Sequence, residues 1–375
     1  MLTDDQQYII QLLRESVGKK EPVPIFPKDS SAVANIITRN SILLTVYKQL
    51  SPDLQTVFKN QLSMAQKQSI IQNYEGERVL HALSDAGLSC IALKGWELRK
   101  LYPEITMRQM ADLDILVHPY NFQTIKTVME KLGFNGGAES SWKHDSFKKN
   151  EIHVEMHNRL TDDSDAIQAW EKGIGDRAEA VEGNIYRMSP EDYYVFHFVH
   201  LHKDFMNGSL GLRRIVDTWL LQKQRVDMEV VKTWLEQFGM WKFHERTVRL
   251  ARVTMGDEEM DAASELLLTH AFTYGIYGSG KSYKAGRIAA MGGDVRTGKL
   301  KSQLAAVFLP YNRMKAQFPI LEKWPILLPY YWGKRIVRFL KGDKRKYSRM
   351  LDYSDVRPED YEEMKRFFEA GGVRV

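Results

Sequence analysis

Two aspartates, Asp112 and Asp114, interrupt the otherwise apolar run from Ala111 to Val117. Successive side chains of a β-strand point to opposite faces, so residues two apart share a face. The two Cα atoms would lie roughly 6 to 7 Å apart, close enough for the carboxylates to bind or bridge divalent metal ions. Without a cation, carboxylates this close repel each other and raise each other's pKa. The pair therefore predicts a metal-binding strand.

A third carboxylate and a glycine turn accompany this pair. In the segment Ile152–His157, apolar residues alternate with His153, Glu155 and His157, which indicates a strand with one polar face. Upstream, Leu93-Lys94-Gly95 ends a short apolar segment. A strand-to-helix junction there would present backbone amides to phosphate, and glycine lets the backbone approach such a ligand closely.

Carboxylates that follow a lysine-glycine turn point to phosphoryl transfer. That chemistry needs charge neutralised on both the attacking and the leaving oxygen, which two magnesium ions held by carboxylates can provide. Magnesium prefers oxygen ligands and is often completed by substrate phosphates. The expected cofactor is therefore Mg2+, with two ions.

The order of these elements resembles the nucleotidyltransferase superfamily related to DNA polymerase beta, in which a glycine turn precedes two acids and a distant third. Within it, the chain resembles an uncharacterised bacterial nucleotidyltransferase family through Leu93-Lys94-Gly95, Arg108 to Val117, and Glu155-Met156-His157. The resemblance implies an α+β fold: a small mixed β-sheet nucleotidyltransferase core with N-terminal helices and a C-terminal helical lobe.

The resemblance also implies roles for individual residues. Asp112 and Asp114 would ligate both metal ions, and Glu155 would hold the catalytic ion and help to deprotonate the attacking hydroxyl. For Arg108 a surface position, and for His157 a space-filling role, remain alternatives. The predicted nucleotide-binding residues are Lys94, Gly95, Arg108, His157, Lys203 and Arg213.

One position departs from better-studied members of the superfamily. Trp96 follows Gly95 where those proteins carry serine or glycine, so no hydroxyl is available there to hold a phosphate. This departure keeps open a second interpretation, a nucleotidyltransferase-like module that binds nucleotide or a protein partner without catalysis.

Length and composition set broader limits. A chain of 375 residues can bury a large core and divide into two or more lobes. A net charge of +5 suits anionic partners such as nucleotides without indicating a dedicated nucleic-acid binder. The single cysteine, Cys90, fits a reducing cytosol. Acids near the N-terminus and the lack of an 18-residue apolar window predict a cytoplasmic protein without a membrane span.

Apolar spacing predicts three regions along the chain. Residues 1–86 form an N-terminal helical region, 87–188 the nucleotidyltransferase α/β core, and 189–375 a C-terminal helical region. Within the last region, the glycines from 275 to 298 predict a loop-rich connection.

Two other interpretations of the sequence have to be considered. Gly275–Ser282 matches the phosphate-loop formula and would make the chain a P-loop-type NTP-binding protein. That formula needs a strand before it, whereas residues 262–274 have helical spacing.

The second alternative is a glycosyltransferase, in which Asp-x-Asp holds the metal of a sugar nucleotide. Such enzymes place a longer βαβ region before the motif, and here mainly helices precede it.

The sequence therefore predicts a magnesium-dependent nucleotidyltransferase that uses a nucleoside triphosphate and releases pyrophosphate. Its acceptor stays open, with a small molecule or a protein favoured over a nucleic acid because the net charge is weak.

Overall fold

The computed structural model describes residues 2–19, 23–137, 144–160, 165–341 and 352–374. The chain divides into two compact units. The first comprises Met1–His202 and Leu210–Tyr277, and the second comprises Lys203–Ser209 and Gly278–Val375.

Within the described residues, seven strands form one sheet in the first unit, in the order β3-β4-β5-β2-β1-β7-β6. Strand β2 pairs parallel with β5 and antiparallel with β1, and β1 pairs parallel with β7. The predicted mixed sheet in an α+β fold is thereby confirmed. The strands are β1 Ser89–Ala92, β2 Leu113–His118, β3 Asn135–Gly136, β4 His144–Lys149, β5 Ile152–His157, β6 Glu179–Glu182 and β7 Ile185–Arg187.

Alternation along the central strands separates an apolar face from a polar face. On β2, Leu113, Ile115 and Val117 point into a buried cluster, whereas Asp114 and Leu116 belong to the opposite face. On β5, Val154 and Met156 join the same cluster. Burial of this apolar face against helices fixes the register, because a slip by one residue would turn every side chain to the wrong side.

Helices cover the apolar face and build the rest of the first unit. A 34-residue helix, α4, contributes Val79, Leu80 and Leu83 to the cluster, and α6 contributes Ile125 and Met129. The helices are α1 Asp4–Ser16, α2 Ser30–Asn40, α3 Leu43–Val46, α4 Pro52–Asp85, α5 Gly95–Leu98, α6 Phe122–Lys131, α7 Asp165–Lys172, α8 Ile174–Arg177, α9 Pro190–Met206, α10 Leu212–Leu221, α11 Met228–Gln237, α12 Trp241–Met255 and α13 Ala262–Tyr274. The last residues of α9 belong to the second unit.

The second unit is helical in its described part. Phe205 stacks on Phe367 with ring centroids 4.1 Å apart, which anchors the last helix of the chain to the end of α9. The helices are α14 Gly280–Ala290, α15 Val295–Val307, α16 Tyr311–Gln317, α17 Ile320–Lys323, α18 Leu328–Lys341 and α19 Pro358–Ala370.

The prediction of a loop-rich connection from 275 to 298 is wrong, since α14 and the start of α15 lie there. The glycines of these helices allow close packing rather than irregular chain. A Cβ on Gly298 would come within 2.7 Å of the Ile288 side chain and 2.8 Å of its carbonyl oxygen. Among the described residues, no helix is both long and apolar enough for a bilayer crossing.

Candidate active site

Three carboxylates meet at the centre of the polar face of the sheet. Asp114 and Glu155 are direct partners in the parallel pairing of β2 with β5, and Asp112 lies two residues before Asp114. One oxygen atom from each of the three side chains lies within 4.8 Å of the others. The structure thus brings together the acids that the sequence placed on separate strands, and an oxygen set of this kind fits Mg2+.

The innermost carboxylate, that of Asp114, contacts two basic side chains. Its side chain is 2% exposed, and its Oδ1 accepts hydrogen bonds from Lys94 Nζ at 2.6 Å and from His157 Nε2 at 2.7 Å. Burial alone would raise the Asp114 pKa, but the Lys94 charge and the His157 hydrogen bond hold that pKa well below its usual value. Asp114 is therefore ionised at neutral pH although it is buried.

The other two carboxylates respond differently to their surroundings. Burial and the neighbouring Asp114 charge raise the pKa of Asp112, and Lys94 offsets this only in part. The hydrogen bond with His157 lowers the pKa of Glu155 in spite of burial and of the Asp114 charge. The three carboxylates outnumber the two basic groups, Lys94 and His157, that contact Asp114, an arrangement that suits a divalent cation.

His157 bridges two of the carboxylates. Its side chain is buried, and its Nε2 lies 3.5 Å from Glu155 Oε2 in addition to its contact with Asp114. Burial alone would lower the His157 pKa, but the hydrogen bonds to Asp114 and Glu155 raise it. The sequence singled out His157 but missed its neighbour His144, which is its partner in the antiparallel pairing of β4 with β5.

The turn before α5 holds Lys94 in an uncommon conformation. Lys94 has φ +46° and ψ −116°, a left-handed region that side chains other than glycine seldom adopt. The Tyr193 hydroxyl donates to the Lys94 carbonyl at 2.6 Å, and the Leu93 amide donates to the Asp114 carbonyl at 2.9 Å. Bonds on both sides of the turn therefore fix where the lysine leaves the backbone.

Gly95 and Trp96 fit this turn for steric reasons. A Cβ at Gly95 would collide with Arg108 and Met110, so no larger residue fits there without rearrangement. Trp96 is buried, and its ring packs where a Cβ on Gly76 of α4 would otherwise lie. Trp96 thus anchors the turn to the core.

The two predicted arginines make structural contacts. Arg108 is buried and donates from Nε and Nη2 to the two carboxylate oxygens of Asp217, each at 2.8 Å. The Tyr102 hydroxyl donates to Asp217 Oδ1, also at 2.8 Å. Arg213 is also buried and donates from Nη1 to the Gln109 carbonyl at 2.7 Å. These contacts tie the chain before β2 to α10.

Burial and neighbouring charges shift the pKa values of these two arginines in opposite directions. It opposes the charged form of Arg108, but Asp217 raises the Arg108 pKa above its usual value. Burial together with the nearby Arg108 and Arg214 charges lowers the Arg213 pKa to about 10. Lys203, the remaining predicted nucleotide contact, lies on α9 in the segment that belongs to the second unit.

A cavity of about 570 Å3 opens on the same face of the sheet. Leu116, two residues beyond Asp114, lines it and pairs across the sheet with Ile91 on one side and His157 on the other. The cavity therefore begins one step along the strand from the carboxylates. The other lining residues are Ser89, Val117, His118, Asn158, Arg159, Gln168, Glu171, Lys172, Ile174, Gly175, Asp176, Ala178 and Tyr186.

The phosphate-loop motif lacks the strand that its formula requires. Gly275 follows helix α13 directly, and Ser279 caps α14 by accepting from the Ser282 amide at 2.9 Å. Lys281, the lysine that would contact phosphate, forms an ion pair with Asp360 at 2.8 Å. The structure therefore does not support a P-loop fold at residues 275–282.

Comparison with known proteins separates the carboxylate site from the phosphate-loop motif. A family model described as an uncharacterised nucleotidyltransferase matches residues 28–256, more than half of the chain. The chain belongs to this nucleotidyltransferase family. The matched part contains the three carboxylates, the Lys94 turn and the cavity, whereas the motif at 275–282 lies outside it. No curated protein and no solved structure matches the chain significantly.

The buried pair of Arg108 and Asp217 gives this nucleotidyltransferase a testable stability requirement. We expect Asp217→Asn to lower the free energy of unfolding by about 3 to 5 kcal/mol, because it leaves the Arg108 charge buried without its counter-ion. The matched control is Asp257→Asn, which removes a solvent-exposed carboxylate paired with Lys19 and should change the free energy of unfolding far less. Urea unfolding monitored by circular dichroism measures both variants.

Acid should reduce the difference in the free energy of unfolding between wild type and Asp217→Asn. The Asp217 pKa, which burial alone would raise, is lowered to about 2 by Arg108. A lowered pKa adds stability above the unfolded value of about 3.9, and this contribution disappears as the pH falls toward 2. Equal losses of unfolding free energy in the Asp217 and Asp257 variants at neutral pH would contradict a stabilising role for the buried pair of Arg108 and Asp217.

Proposed function

We propose that this nucleotidyltransferase moves a nucleoside monophosphate from a nucleoside triphosphate to an acceptor hydroxyl or similar nucleophile, with Mg2+ as its cofactor. The observation that supports this proposal most is the convergence of Asp112, Asp114 and Glu155 on neighbouring strands. Carboxylate oxygens at this spacing suit two magnesium ions, which supply charge neutralisation at the reacting phosphate.

The protein's own residues would then align the reactants. The acceptor oxygen forms a bond to the α-phosphorus, the bond from that phosphorus to the bridging oxygen breaks, and pyrophosphate leaves. Glu155 accepts the acceptor's proton, since this carboxylate is partly exposed and its lowered pKa keeps it in the deprotonated form. Asp112 and Asp114 hold the metal ions, and no covalent enzyme intermediate is needed.

Lys94 would exchange partners when the nucleotide binds. In the structure its ammonium group contacts Asp114 and compensates part of the cluster's charge. Its long side chain would turn from Asp114 to the triphosphate beside Gly95. Arg108 Nη1 adjoins the same glycine, which places a further positive charge behind the turn. Arg213 and Lys203 stay proposed nucleotide contacts that the resemblance alone supports.

The position of the cavity supports a small acceptor. Ala92 pairs with Ile115, so the Lys94-Gly95 turn that follows it lies toward the Asp112 end of β2. The cavity begins at Leu116, on the other side of Asp114. A triphosphate at the turn therefore leaves the cavity for the acceptor, and its volume of about 570 Å3 suits a small molecule or one side chain. Buried, unpaired Cys90 accords with a reducing cytoplasmic setting.

The carboxylates provide the first test of this proposal. We expect Asp112→Asn and Asp114→Asn each to reduce magnesium-dependent pyrophosphate release by about 1000-fold or more, since several kcal/mol of transition-state stabilisation are lost. The assay incubates each nucleoside triphosphate with a small-metabolite extract as the source of acceptor. Circular dichroism establishes that the variants are folded.

The matched control is Lys281→Ala, which removes the central residue of the phosphate-loop motif and should leave turnover within about twofold. The reverse ranking, with turnover lost in Lys281→Ala and kept in Asp112→Asn, would overturn the proposal. Nucleotide binding by the wild type without turnover on any acceptor would instead identify a binding module.

The acceptor pocket has its own test in Gly175→Phe. Gly175 lines the cavity, and a Cβ built there meets no heavy atom of the described chain within 4 Å. We expect the phenylalanine to occupy acceptor space and to lower acceptor-stimulated pyrophosphate release by about tenfold or more. Nucleotide affinity, measured by calorimetry, should stay unchanged.

Gly333→Phe on α18 is the control, since its Cβ site is equally open and lies outside the cavity. The same activity in both variants would argue against an acceptor pocket.

A further inference from the structure

The hairpin of β4 and β5 places two histidines beside Glu155. His144 and His157 are direct partners across the hairpin, with ring centroids 5.1 Å apart. One donor atom from each of His144, Glu155 and His157 lies within 4.8 Å of the others. We propose that these three residues form a separate site for a transition-metal ion of the Zn2+ class, next to the all-oxygen site for Mg2+.

The distances match ligands that share one ion. His144 Nε2 lies 3.6 Å from Glu155 Oε1, and His157 Nε2 lies 3.5 Å from Glu155 Oε2. Both contacts are long for a hydrogen bond. Two ligands held about 2.0 to 2.1 Å from a tetrahedral zinc ion are about 3.4 Å apart, close to the observed separations.

The backbone holds the donor atoms in place before an ion binds. A two-residue turn, Asn150 and Glu151, connects the strands, and Asn150 adopts φ +51°. Such a tight turn fixes the register, so His144 must lie opposite His157. Glu155 lies two residues before His157 and therefore on the same face.

Burial differs among the ligands in a way that suits metal entry and retention. The His157 and Asp114 side chains are 5% and 2% exposed, which fixes one wall of the site. The His144 and Glu155 side chains are 33% and 26% exposed, so an ion can reach them from solvent. Asp114 Oδ1 lies 2.7 Å from His157 Nε2 and is close enough to serve as a further ligand once that nitrogen gives up its proton to bind the ion.

The chemistry of the donor sets assigns different ions to the two groups. Imidazole nitrogen suits zinc and neighbouring transition metals, whereas magnesium favours oxygen and keeps its waters. Glu155 belongs to both groups and would bridge the two ions. Asp112 belongs only to the oxygen group, and His144 only to the histidine group. Substitution at Asp112 and at His144 therefore separates the two sites.

The test is metal binding to the full-length protein after removal of metal with a chelator. Zn2+ affinity is measured by competition with a chromophoric chelator, and visible absorption of bound Co2+ reports nitrogen ligation. We expect His144→Ala to weaken Zn2+ binding by about 100-fold or more, since even partners outside the ligand set change zinc affinity by about 10- to 100-fold. The control, His153→Ala, removes an exposed histidine of the neighbouring strand β5 and should bind as the wild type does.

Three results would overturn the inference. The first is equal Zn2+ affinity in wild type, His144→Ala and His153→Ala. The second is displacement of Co2+ from the wild type by millimolar Mg2+, which would show a single oxygen site. The proposed zinc site lies on the same sheet face as the proposed transferase site. The experiments can nevertheless disprove one proposal without disproving the other. Asp112→Asn should abolish turnover while it keeps the Co2+ spectrum, and loss of that spectrum in Asp112→Asn would also contradict a separate histidine site.

Discussion

The buried negative charge of Asp114 is the constraint around which the central part of this molecule is arranged. Removing a carboxylate from water is costly unless it gains hydrogen bonds and opposite charge. Here Lys94 and His157 supply both on the same oxygen atom. Two further carboxylates, Asp112 and Glu155, lie next to this arrangement, so three acids meet two basic groups. We propose that a divalent cation completes the charge balance of this site.

The surrounding fold keeps these groups in place without contributing to the chemistry directly. The apolar face of β2 and β5 fixes which residues point to the site. Trp96, in the space left by Gly76, anchors the turn that carries Lys94, and the Tyr193 hydroxyl binds the carbonyl of that lysine. The buried pair of Arg108 and Asp217 attaches the segment before Asp112 to helix α10. Rigidity of this kind limits the reorganisation required when charge develops during a reaction.

Much of this arrangement follows from sequence periodicity. Alternation in 111–117 and 152–157 predicted the shared face of the acids, and the mixed sheet places Asp114 directly opposite Glu155. His144 was missed because its relation to Glu155 depends on hairpin register. The short Asn150-Glu151 turn was the available signal, since it makes residues 144 and 157 partners. The glycine-rich stretch after 275 was misread because glycine serves helix packing there, and a sequence does not show which neighbour will approach.

The predicted nucleotide contacts show another limit of sequence reasoning. Arg108 stays a proposed nucleotide contact, and the sequence did not reveal its buried partner Asp217, which lies more than a hundred residues later in the chain. Only the tertiary structure shows that Nε and Nη2 of Arg108 bind this partner. The phosphate-loop motif illustrates the converse, since its letters match but a helix precedes it. Context in three dimensions decides between such motifs.

The most direct measurement is anomalous X-ray diffraction from crystals grown with Mn2+ and a nucleoside triphosphate whose α,β-bridge is not hydrolysable. Our account predicts manganese peaks coordinated by oxygen atoms of Asp112, Asp114 and Glu155, with the triphosphate beside Lys94 and Gly95. A triphosphate bound instead at residues 275–282, with no manganese at the three carboxylates, would contradict it.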